Sequence, residues 1–186
     1  MTTATVPPPR TVGRSLVVTA ATAAVAEAVV GVLQLTRSDS GAGVHDARVH
    51  AVLTLFALAL LAAAPLWWRL GVLTGARWAG GTLVAGNLLL AFGTTVSNVN
   101  GSDPAFFGPL AVVANAAVLV GLLGLAIAAR RGRTLPGPLA LLLPVYLIGL
   151  VPLSQLGGNL LRGAVLAAVL LALSTAAGRL STAAGR

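Results

Sequence analysis

The chain has 186 residues, of which 57% are hydrophobic and 9% charged, with a mean hydropathy of +0.94. Water-soluble domains carry roughly a quarter charged residues, so this composition excludes a globular fold in water and points to lipid. The absence of cysteine excludes disulfides, thiolate metal sites and cysteine nucleophiles. The net charge of +8 comes from twelve arginines against four acids, with no lysine. Those arginines lie between apolar runs rather than in one patch, and no helix-turn-helix or aromatic-rich segment accompanies them, which argues against a nucleic-acid partner.

Residues 1–14, rich in Thr and Pro through Pro7, Pro8 and Pro9, cannot pack a core and read as a disordered tail. Six apolar stretches then approach the length of about 20 residues that a spanning helix needs. They cover 15–35, 49–68, 79–98, 106–129, 138–156 and 159–177, of which the first four have the plainest signal. The first stretch is interrupted by Glu27 and is longer than the apolar region of a cleavable signal peptide, so it reads as a span. The fifth contains Pro144 and Pro152, which predict a kinked or re-entrant segment. The sixth carries Arg162 near its start, where a long side chain can reach the interface. Residues 178–186 form a C-terminal tail that completes a short tandem repeat, Ser174–Arg179 and Ser181–Arg186. The expected fold is an all-α, polytopic transmembrane helical bundle over 15–177.

Positive residues accumulate on the cytoplasmic side of a membrane protein. Alternate connections hold Arg10 and Arg14, Arg69 and Arg77, the Arg130–Arg131–Arg133 group, and Arg179 and Arg186, whereas the other side has Arg37, Arg48 and Arg162. Nine against three places both termini in the cytoplasm, in agreement with an even number of spans. Trp67, Trp68 and Trp78 flank the second connection as an aromatic belt would. Arginine without lysine, beside abundant Ala, Gly, Val and Leu, matches the codon usage of a GC-rich bacterium, so the expected location is the bacterial inner membrane.

Polar groups retained at membrane depth are the pointers to function. A carboxylate at Glu27 costs a few kcal/mol on insertion scales, so this group is expected to be protonated or paired. It is a candidate proton acceptor or substrate contact, or a hydrogen-bonding link between helices. Asn87, Thr94 and Asn98, spaced seven and four apart, share one face of the third span. Asn115 and Gln34 extend it into a polar seam that either lines a cavity for a small apolar ligand or joins helices. His50 opens the second span, with Thr54 one turn below and His45 just upstream. Its imidazole is a candidate metal or haem ligand, although two histidines five apart do not share a helix face and make no zinc site alone. Phosphate-binding glycine loops, HExxH and GxSxG are absent. Gly124 with Ala128 and Gly163 with Ala167 allow close helix contact, within the chain or with a second copy of it.

Ala47-Arg48-Val49-His50, with Gly86-Asn87 and Ser97-Asn98 on the third span, resembles the family of small membrane isomerases that includes styrene oxide isomerase and hydroxylaminobenzene mutase. The resemblance covers about residues 45–130. It implies haem b held by His50, with ferric iron acting as a Lewis acid on an epoxide oxygen. Glu27, Asn87 and Asn98, the polar groups read above at membrane depth, are the candidate catalytic residues. Phe56 stands where the family has an asparagine, and the only tyrosine is Tyr146, in the fifth span. Two other readings stay open: a non-enzymatic scaffold or accessory subunit, and a small transporter using Glu27.

Overall fold

The computed structural model describes residues 13–36, 47–151, 153 and 156–184. The expected tail ahead of Gly13, and His45, lie outside the described residues. Five helices are long and apolar enough to cross a bilayer: α1 (Arg14–Leu35), α2 (Ala47–Leu73), α3 (Arg77–Asn100), α4 (Phe107–Arg131) and α7 (Gly158–Ala184). Two short helices, α5 (Gly137–Leu142) and α6 (Val145–Leu150), lie between α4 and α7, and no strand occurs among the described residues. The protein is therefore an all-α membrane bundle.

Side-chain contacts fix the order and direction of the helices. Arg48 at the start of α2 donates to the Leu33 carbonyl at 2.9 Å and to the Thr36 hydroxyl, which ties α1's end to α2's beginning. An arginine there also satisfies a carbonyl that a helix C-terminus leaves free. Gly71 meets Gly80, so α3 descends alongside α2, and Gly86 and Gly121 place α4 antiparallel to α3. A Cβ on Gly86 would lie 2.7 Å from the Ala114 carbonyl oxygen, and one on Gly121 would lie 2.7 Å from the Leu83 nitrogen. Bare glycine thus sets the close approach in this layer.

α7 packs against α1 and runs antiparallel to it, with Gly31 against Leu160 and Gly163 against Ala24. The end of α1 therefore neighbours the start of α7, at the face opposite the end of α4. The connection from α4 to α7 has to climb the height of the bundle, and its described residues form the two short helices α5 and α6 rather than a sixth continuous helix. Even unbroken, Gly137–Leu150 would rise only about 21 Å, against a hydrocarbon core of about 30 Å. Pro144 lacks an amide hydrogen and ends the first piece. The chain resumes through short-range bonds from Tyr146 to the Leu143 carbonyl at 3.2 Å and from Leu147 to the Pro144 carbonyl at 3.1 Å. Gly157, at φ +75°, then turns the backbone into α7. α7 runs on to Ala184, past the expected end of the last span at 177.

One expected interfacial residue is placed differently. Trp68 and Trp78 are exposed at the arginine-rich end, but Trp67 is fully buried and meets the Tyr146 ring edge-on at 5.4 Å. Adjacent positions on a helix point about 100° apart, and here that angle turns Trp67 into the bundle and Trp68 out of it.

Candidate functional site

Glu27 projects from the middle of α1 into the α1–α7 contact, where Gly163 opens the space: a Cβ there would lie 2.8 Å from the Ala24 carbonyl oxygen and 3.5 Å from the Glu27 Cβ. Arg162, one position earlier on α7, reaches a Glu27 carboxylate oxygen at 2.7 Å, and both side chains are fully buried. The same guanidinium donates to the Asn159 amide oxygen at 3.1 Å and to the Tyr146 hydroxyl at 2.5 Å. Its Cζ lies over the Tyr146 ring, 4.4 Å from the centroid, and over the Phe56 ring at 5.1 Å, a placement that suits a delocalised cation. The expectation that Arg162 reaches the interface is thus corrected. Its partner lies sideways on α1, and the tight α1–α7 and α6–α7 approaches leave no path outward. Glu27 is paired, as the cost of a lone carboxylate at that depth requires.

Above this pair, toward the end of α1, a cavity of about 370 Å³ opens between the helices. Its polar lining is Gln34, Thr94, Asn115 and Asn159, set among apolar residues that include Phe56 and Leu90. Asn159 and Phe56 belong to both features: each contacts Arg162 on one side and lines the cavity on the other. Asn159 also donates to the Gln34 amide oxygen at 3.3 Å, which fixes the side chain between α1 and α7. The Asn115 amide oxygen is buried at the cavity wall with no hydrogen-bond partner.

The predicted seam on α3 does face inward, but it divides. Thr94 lines the cavity. Asn98 turns to α2 instead, where its amide oxygen lies 2.6 Å from the His50 Nδ1 and its amide nitrogen donates to the Thr54 hydroxyl at 2.9 Å. Asn87 is fully buried, and neither its oxygen nor its nitrogen has a hydrogen-bond partner. The four sequence-selected residues therefore occupy three places: Glu27 with Arg162, His50 with Asn98, and Asn87 alone. Arg162, Tyr146 and Asn159 were not selected as site residues. Arg162 carried a signal, since an arginine within an apolar run calls for a counter-ion and Glu27 is the sole acid inside any long apolar stretch.

His50 Nδ1 hydrogen-bonded to an amide oxygen carries the proton, which leaves Nε2 as the free acceptor. Among the described residues no group of three or more His, Asp or Glu side chains converges in a way that could hold a metal ion. No family model matches the chain, and no curated protein and no solved structure matches it either.

Proposed function

We propose that this protein takes a small, mostly apolar molecule from the lipid phase into the cavity between α1, α2, α3, α4, α6 and α7, and accepts one hydrogen bond from it. The observation that carries this reading is the Asn115 amide oxygen, buried at the cavity wall without a partner. A buried acceptor left unmade costs about 1–3 kcal/mol, so the wall is complete only when a hydroxyl or amine of a ligand occupies it. A volume of about 370 Å³ lies at the lower end of the range of small-molecule sites, and the ratio of few polar to many apolar lining groups is typical of them. The setting is a bacterial inner membrane with the arginine-rich end in the cytoplasm, supported by the distribution of arginines between the two ends of the bundle.

Binding of benzyl alcohol and of toluene to the protein in lipid nanodiscs, followed by ligand-observed NMR, tests this. Benzyl alcohol should bind in preference to toluene, and Asn115→Leu should abolish the preference while leaving toluene binding in place. Equal binding of the two compounds to the unaltered protein would refute it.

A second reading, haem-dependent isomerisation of such a molecule, rests on the resemblance and is favoured by the free Nε2 of His50. The donor suits a haem iron, which when bound supplies a Lewis acid. The surroundings do not suit the macrocycle. His50, Thr54 and Asn98 close on one another through hydrogen bonds, and His50 is not among the residues lining the cavity. The visible spectrum of the purified protein decides it, since a Soret band lost in His50→Ala would establish the ligand and a colourless protein after haem supplementation would remove it.

A further inference from the structure

At the arginine-rich end, far from the cavity, a groove of about 590 Å³ runs between the start of α3 and the end of α4. Trp78 forms one wall. Its ring lies over Gly124, where an added Cβ would stand 2.7 Å from the Cη2 atom, so the absence of a side chain at 124 is what seats the indole. The other wall is α4, on which Val120, Leu123, Ile127 and Arg131 recur at three, four and four residues and therefore share one face. Val120, Leu123, Ile127 and Trp78 are all exposed. From Val120 to Arg131 the helix rises about 16 Å, which is about the depth of one leaflet of hydrocarbon. The track is thus apolar along its length and ends in a cation at the height of the headgroups.

We propose that this groove is a seat for one anionic glycerophospholipid of the arginine-side leaflet, with an acyl chain along Val120, Leu123 and Ile127 and its phosphate at Arg131. Charge complementarity selects an anionic headgroup over a zwitterionic one. Arg130 and Arg133 flank Arg131 in the chain and Arg77 opens α3 at the same end, and from Ala47 to Arg186 the one acid is Asp103, which lies in the α3–α4 connection at the opposite end. Basic recesses between helices on the cytoplasmic side hold acidic lipids by the same attraction. The leaflet-long apolar track selects a lipid over a free anion, which has no chain to lay along it. This inference is independent of the ligand assigned to the cavity.

Native mass spectrometry of the full chain, released from nanodiscs of equal phosphatidylglycerol and phosphatidylcholine, tests the seat. The unaltered protein should retain one phosphatidylglycerol. Arg131→Gln should lower the retained fraction about five-fold, the effect of one basic group at a lipid surface. Ile127→Trp, which fills the track and keeps the charge, should lower it as well. Equal retention of phosphatidylcholine, undiminished retention in both Arg131→Gln and Ile127→Trp, or displacement of the lipid by millimolar inorganic phosphate would each overturn the proposal. A loss confined to Arg131→Gln would show surface attraction without a seated chain, and would overturn it too.

Discussion

Glu27→Gln isolates the charge at the α1–α7 contact, because it keeps the side-chain volume and removes only the negative charge that faces Arg162. At the 2.7 Å separation of this fully buried pair, an effective dielectric of about 20 gives roughly 6 kcal/mol of attraction before desolvation. A neutral amide oxygen in the same place recovers about 1.5–3 kcal/mol as a hydrogen bond to a cation. The remainder, about 3–5 kcal/mol, is the usual cost of breaking a buried pair and leaving one charge uncompensated. Arginine cannot relieve this by losing its proton. Unfolding of the detergent-solubilised protein, followed by tryptophan fluorescence, measures the change, with Trp67 reporting from beside Tyr146. The double variant Glu27→Leu with Arg162→Leu should recover most of the loss, since apolar replacement of a whole buried pair is often neutral. A Glu27→Gln protein within about 0.5 kcal/mol of the original, or a double variant less stable than Glu27→Gln alone, would refute the reasoning.

Two further outcomes follow from the packing. Asn87→Leu should raise stability by about 1 kcal/mol in the same unfolding assay, because it replaces a fully buried amide that has no partner with an apolar group of similar size. A loss of stability would mean that the amide is satisfied by a group the helices alone do not supply. Gly149→Ala should cost about 1–3 kcal/mol, since its Cβ would stand 2.5 Å from the Gly158 carbonyl oxygen and 2.8 Å from the Arg162 Cγ. Unchanged unfolding would show that α6 can move away from α7 freely.

The long helices were legible because lipid imposes one rule on every residue of a span. The apolar stretches at 15–35, 49–68, 79–98, 106–129 and 159–177 each coincide with a helix. The fifth stretch was legible only as an irregularity: Pro144 shows that a helix breaks, but not that two short pieces still carry the chain across. Partnership was less legible still. Glu27 and Arg162 each announced a need for a counter-charge, yet nothing in their 135-position separation states that α1 and α7 are neighbours. That adjacency depends on Gly31, Gly157 and Gly163 letting two backbones approach; the spacing of Gly163 with Ala167 marks it as a site of close contact, but nothing in a chain with 22 glycines marks α1 as its partner. The division of the α3 seam was illegible for a related reason. Asn98 and Thr94 share a helical face, but α2 reaches one and the cavity the other, which is a matter of how far each neighbouring helix extends.

The polar contacts gather in one half of the bundle. Arg48 with the end of α1, His50 with Asn98, Gln34 with Asn159 and Glu27 with Arg162 all lie toward the face where α1 ends and α7 begins. The opposite half closes through Trp67, Leu70 and the Gly71–Gly80 approach. The broken crossing enters the polar half with Tyr146, Leu150 and Val151, and the last two line the cavity. Irregular backbone at membrane depth survives only where protein or a cavity covers it. The interruption of the fifth span and the cavity beside it are therefore one feature: straightening the segment into a continuous helix would remove the turn that forms the wall, and would draw Tyr146 away from the guanidinium it now holds.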